Sequence, residues 1–102
     1  MALPVRPHVE AEPELLDAVL YYAERSRSAA VQFLDVVDDA IAQIAEMPRS
    51  APAWPGLPDV RRRVLKTYPY AIVYAIEPAE ILILAFEHAK RRPGYWLCRV
   101  SR

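Results

Sequence analysis

Ten prolines against two glycines divide this 102-residue chain into segments whose ends are set before any propensity is weighed. Proline locks φ and lacks an amide hydrogen, so it is kept out of helix interiors and central strands and marks where an element starts or stops. Pro4 and Pro7 flank Val5, so residues 3–9 are expected to be extended and, as a strand, to sit at a sheet edge. Pro13 fits the first turn of a helix, with Glu12, Glu14 and Asp17 placed to favour its positive N-terminal end. Pro48, Pro52, Pro55 and Pro58, with Gly56, make residues 48–58 a loop anchored by Trp54.

Between these marks the apolar residues have a helical period. Leu15, Leu16, Val19, Leu20 and Ala23 predict a first helix over residues 13–25. Ala30, Phe33, Leu34, Val37, Ile41, Ile44 and Ala45 predict a second over residues 29–47, capped by Ser28 and stopped by Pro48. Two amphipathic helices joined by about three residues must lie antiparallel and need a common surface to cover.

That surface is written in the second half. Residues 60–67, 70–76 and 81–88 are rich in β-branched and aromatic side chains, and the Glu77-Pro78-Ala79-Glu80 break is short enough for a hairpin. A meander of antiparallel strands is the simplest assembly, giving an α+β class in the order βααβββ: an N-terminal helix pair packed on a small, mainly antiparallel sheet. Strict alternation in the last strand puts Ile81, Ile83 and Ala85 on one face and Leu82, Leu84 and Phe86 on the other. Both faces are then apolar, and the helix pair covers one. The other face calls for the Tyr95-Trp96-Leu97 segment, a second copy or a partner polypeptide.

Composition narrows the function classes. The length supports one domain, spanning residues 1–102. With 54% apolar and 25% charged residues the chain is not intrinsically disordered. No apolar run reaches membrane-spanning length and the N-terminus has no apolar signal core, so a cytoplasmic location is expected, consistent with a lone Cys98. Net charge is zero, but unevenly so: residues 1–58 carry four basic against nine acidic side chains, and residues 59–102 carry nine against four. Such asymmetry points to a surface for a polyanion or an acidic partner.

The positive half holds two clusters, Arg61-Arg62-Arg63 with Lys66, and Lys90, Arg91, Arg92 and Arg99. Guanidinium forks match phosphate and carboxylate oxygens. Alternation places Arg61 with Arg63 and Arg62 with Lys66, so the four cannot line one site directly. His88 is expected on the face of Leu82, Leu84 and Phe86, beside positive charge that would favour its neutral, basic form; a structural histidine at a strand end is the commoner case. Tyr95 and Trp96 could stack on a nucleobase or plug the uncovered sheet face; Trp96 suits the plug and Tyr95 either role. His8, His88 and Cys98 lack metal-ligand spacing, Gly56 and Gly94 form no phosphate loop, and no cofactor is implied.

Taken together, LLDAVLYYAERS, AAVQFLDVVDDAIAQIAEMP, VRRRVLKTYPYAIVYAI and ILILAFEHAKRRPGYWLCR resemble the RelE/ParE superfamily of bacterial type II toxins over nearly the whole chain. The most specific pieces are YPYAIVY after the basic VRRRVLK, and His88 followed by Arg91-Arg92-Pro93-Gly94-Tyr95-Trp96 and Arg99. The resemblance implies a helical hairpin on an antiparallel sheet and a toxin neutralised by, and forming a hetero-oligomer with, a cognate antitoxin. ParE-like members poison DNA gyrase by binding it, whereas RelE-like members cleave ribosome-bound mRNA without metal. If the chain were a nuclease, the resemblance would give catalytic roles to His88, Arg61, Arg63, Lys66, Arg91 and Tyr95. Target or nucleic-acid contacts would fall to Arg62, Lys90, Arg92, Trp96 and Arg99, and antitoxin contacts to Leu82, Leu84 and Phe86. Arginines stand where the RNA-cleaving type uses lysines, and zero net charge is unlike a strongly basic ribosome-binding nuclease. A ParE-like binder is therefore the first expectation, a RelE-like endoribonuclease the second, and a member that only binds antitoxin the third.

Overall fold

Pro13 lies inside the first helical turn, as its fixed φ requires, but the helix begins before it. In the computed structural model, which describes residues 2–100, α1 spans Ala11–Ala23 and α2 spans Arg27–Glu46. Ser26 caps α2, its hydroxyl accepting a hydrogen bond from the Ala29 amide at 2.9 Å, so Ser28 falls within the first turn and is not the cap. A 3-10 turn at Pro48–Ser50 follows α2.

The five strands are β1 (Val5–Pro7), β2 (Ala53–Trp54), β3 (Leu57–Val64), β4 (Tyr70–Ile76) and β5 (Ile81–His88), in the spatial order β1-β5-β4-β3-β2. β1 is the expected edge strand and runs parallel to β5, while every other pairing is antiparallel. The proline-rich segment expected to be all loop contributes β2, which covers part of the outer edge of β3. That third strand starts and stops three residues earlier than its composition suggested. Leu65 ends the ladder, its amide donating a hydrogen bond to the Tyr70 carbonyl (2.9 Å), and Thr67 then takes a φ of 64° in the turn to β4.

The helices cover one sheet face. Phe33, Val37 and Ile44 of α2 and Ala11 and Ala18 of α1 are buried with Ile72, Tyr74, Ile81, Ile83 and Phe86. The Tyr74 hydroxyl donates to the Pro48 carbonyl at 2.6 Å, tying the central strand to the end of the hairpin. On the opposite face a second core gathers Val60, Val73, Leu82, Leu84 and Ala85 around Trp96.

Membership of these two cores corrects the alternation expected for β5. Val73 pairs with Ala85 and Tyr74 with Ile83, leaving Leu84 as the extra residue of a bulge. Beyond it every side chain changes face, so Ala85 joins Leu82 and Leu84 while Phe86 and His88 turn towards the helices. Leu82 and Leu84 therefore share a face, and Phe86 lies on the other. All three are buried within this chain, which removes them as an exposed antitoxin surface.

Candidate functional site

The C-terminal segment decides what the second sheet face can do. Gly94, with a φ of 80°, turns the chain back in a conformation other residues rarely adopt, and a Cβ there would stand 3.0 Å from Leu97 Cδ1. The turn delivers Trp96 onto the sheet, where it is fully buried and meets Trp54 edge-on with ring centres 4.8 Å apart. Trp96 is thus the plug, and it presents no surface to a nucleobase or a target. Its indole Nε1 donates to Glu87 Oε2 at 3.3 Å, and Arg62 Nε reaches Glu87 Oε1 at 2.6 Å. Glu87 is 2% exposed, and these two donors are what make a carboxylate tolerable inside β5.

A second carboxylate organises the edge of the sheet. β1 pairs with β5 only as far as Ile83, beyond which the β5 backbone would face solvent or a partner. Glu14 of α1 and Arg99 fill this gap. Glu14 Oε1 accepts from the Phe86 amide at 3.1 Å, and Arg99 Nη1 donates to the Leu84 carbonyl at 2.9 Å. The two side chains also join each other as a fork, Nη1 to Oε1 and Nη2 to Oε2, both at 3.1 Å. Tyr95 completes the clasp by donating its hydroxyl to Glu14 Oε2 at 2.8 Å.

Burial and the Glu14 charge both disfavour tyrosinate, so the Tyr95 pKa is pushed far up and the hydroxyl stays protonated. Burial opposes the Arg99 charge, but Glu14 outweighs it and the guanidinium pKa is raised. Arg99 Nε has no hydrogen-bond partner among the described residues, and Glu10 Oε1 lies 3.9 Å from it.

The remaining basic residues are dispersed. Arg61 is spent on the backbone, donating to the carbonyls of Pro58 (3.0 Å), Arg49 (3.0 Å) and Ala51 (2.9 Å). Arg63, on the helix side with Arg61 as alternation required, donates to Gln43 of α2. Lys66 lies past the end of β3 and lines a cleft with Arg63 and Asp39, so it keeps company with Arg63 and not with Arg62. Arg91 stacks over Tyr95, its Cζ 3.8 Å from the ring centre. His88 packs edge-on against Tyr70 at 4.9 Å, and its Nδ1 accepts from the Lys90 amide at 3.0 Å.

Of the six side chains assigned to catalysis, the contacts of the described residues join only Arg91 with Tyr95, while Arg63 and Lys66 share a cleft. Of the five assigned to target binding, Trp96 is buried, Arg62 is paired with Glu87 and Arg99 is 9% exposed at its side chain. Lys90 and Arg92 remain on the surface without an ion pair among the described residues. Sequence reasoning missed Glu14 and Glu87, the two acids that hold the arrangement together. For Glu87 a signal existed, since a lone acid in the apolar run ILILAFEH demands a buried partner.

A helix pair packed on one face of a five-stranded sheet, with a tryptophan-plugged second face, defines a small α+β domain. Residues 5–93 match the family described as ParE toxin of type II toxin-antitoxin system, parDE, and the chain belongs to that family. None of the curated proteins matches it. Among solved structures, a chain described as the chromosomal ParDE TA system from P. aeruginosa superposes with a TM-score of 0.73 at 15% identity, covering 87% of this chain and 98% of the other. A double arginine-to-alanine variant of the E. coli toxin RelE in the free state superposes with a TM-score of 0.69 at 18% identity, covering 99% and 100%. At such identities these likenesses establish the fold, and both sides of the RelE/ParE superfamily share it.

Proposed function

We propose that this chain is the toxin of a type II toxin–antitoxin pair acting in the cytoplasm, and that it inhibits growth in the ParE manner, by binding an essential target such as DNA gyrase. The observation that carries the choice against RNA cleavage is the Glu14–Tyr95–Arg99 clasp. A RelE-like reaction needs a C-terminal arginine and tyrosine free to meet the scissile phosphate and the 2′-hydroxyl. Here, of the residues given catalytic roles, the Tyr95 hydroxyl is already bonded to Glu14 and its ring is covered by Arg91, and Arg61 is held by three carbonyls, while Arg99, given a nucleic-acid contact, has both Nη atoms on Glu14. Membership of the ParE family supports the same reading. A cognate antitoxin is the expected partner, as in the ParDE neighbour, and the positive sheet-and-tail half of the chain is the surface an acidic antitoxin segment would be drawn to.

Purified protein added to a gyrase supercoiling assay tests this directly. Inhibition that is relieved by the antitoxin is the expected result. Undisturbed supercoiling at toxin in molar excess, together with cleavage of mRNA on ribosomes, would replace the reading with the nuclease.

A further inference from the structure

A cleft of about 650 Å³ opens between the C-terminal half of α1 and the end of the sheet at Tyr70 and His88. It uses none of the clasp residues. Its size lies within the range of about 300–1,000 Å³ usual for small-molecule sites.

The walls are aromatic beyond what the core requires. Tyr22 and Tyr70 pack on Phe33, with ring centres 4.8 and 5.6 Å away, and belong to the helix-side core. Tyr21 does not belong to it: the residue is 51% exposed, meets Tyr22 edge-on at 5.0 Å and lines the cleft. Arg25 fixes that ring, its Nη2 donating to the Tyr21 hydroxyl at 2.9 Å and its Cζ lying 5.3 Å from the ring centre. Lys90 lines the opposite side. Neither cation has an ion pair among the described residues. Because His88 Nδ1 accepts from the Lys90 amide, the neutral ring carries its proton on Nε2 and offers a donor. Asp17 supplies the one carboxylate acceptor of the lining.

A π-platform, two unpaired cations and a single acceptor have a narrow chemical complement. An inorganic anion would leave the rings idle, and an uncharged apolar molecule would desolvate Arg25 and Lys90 without pairing them. A planar heterocycle bearing a phosphate satisfies all three, through base stacking, phosphate contact with the cations, and a base or ribose hydrogen donated to Asp17. We propose that this cleft binds a nucleoside phosphate, either free or as an unpaired nucleotide of a strand.

Amide chemical-shift mapping of the full chain with adenosine monophosphate, inorganic phosphate and a short single-stranded oligonucleotide tests the proposal. Saturable shifts confined to the amides around Asp17–Arg25, Tyr70 and His88–Lys90 are expected, with inorganic phosphate weaker by at least about tenfold, the loss of one stacked base. Tyr21→Ala and Arg25→Ala, both at exposed positions, should each weaken the titration by about tenfold while leaving the rest of the spectrum in place. Saturation by the mononucleotide identifies a free ligand, and saturation by the oligonucleotide alone identifies a strand; either supports the site. Absent or dispersed shifts, equal response to inorganic phosphate, or variants that titrate like the parent chain would each overturn it.

Discussion

Glu14 stands near the start of α1, where an acid ordinarily serves the helix dipole, yet its carboxylate reaches across to the backbone of β5, to Tyr95 and to Arg99. The side chains of Glu14 and Arg99 are 15% and 9% exposed, so removing the acid would strand a buried guanidinium. Glu14→Ala is expected to cost about 3–5 kcal/mol, measured as the shift of the denaturant midpoint at constant m-value. Tyr95→Phe removes one hydrogen bond to a charged group and should cost about 1.5–3 kcal/mol. If Tyr95 instead served catalysis, that substitution would abolish activity with stability unchanged. Trp96→Ala, which empties the plug over the second core, should cost about 3–5 kcal/mol in the same measurement. A loss below about 1 kcal/mol would mean that Trp96 is not the plug described.

The helical hairpin was legible as a unit because α2 repeats its apolar residues every three or four positions: of the expected stripe Ala30, Phe33, Val37 and Ile44 are buried and Leu34, Ile41 and Ala45 half-buried, while the buried Ala40 lay outside it. Its boundaries were less so, since Ser26 and Ser28 are chemically equal candidates and only the backbone geometry of the turn selects Ser26. Ser26→Ala should therefore cost about 1 kcal/mol, and Ser28→Ala a few tenths, by thermal or chemical denaturation. The β5 faces were misjudged for a different reason. A bulge leaves no mark in a run of uniformly apolar residues, and one extra residue, Leu84, exchanges the destinations of Ala85 and Phe86. The site residues fared similarly. Arg61 and Arg63 were correctly placed on one face, but nothing in the sequence says that Arg61 is consumed by the loop carbonyls, or that Arg99 is paired with an acid 85 positions away.

Across the whole molecule, the tyrosines give the fold a defined response to alkali. Burial raises the pKa of Tyr22, Tyr70, Tyr74 and Tyr95, in the last case aided by Glu14. In the unfolded chain these hydroxyls ionise near pH 10, while in the folded chain they hold their protons higher. The unfolded state therefore binds fewer protons above about pH 10, and stability, complete below that point, should fall as pH rises further. Tyrosinate absorbance should lag the titration of free tyrosine and then rise together with unfolding. Of the uneven charge, the buried Glu14–Arg99 pair bears on stability, whereas the exposed pairs Arg6–Glu80 and Arg49–Asp59 contribute little by comparison. Its consequence lies in recognition, where the basic sheet-and-tail half meets an acidic helix pair on the same small domain.

On the function proposed above, the C-terminal tyrosine and arginine lock the fold and do not cut RNA. Inducing this chain in bacteria without an antitoxin, and mapping DNA breaks and mRNA ends in the same arrested culture, tests it most directly. Growth arrest with DNA breaks and an SOS response, with mRNA intact at ribosomal A sites, is the expected result. Arrest accompanied by codon-positioned mRNA cuts that disappear in Tyr95→Phe, without DNA breaks, would contradict it.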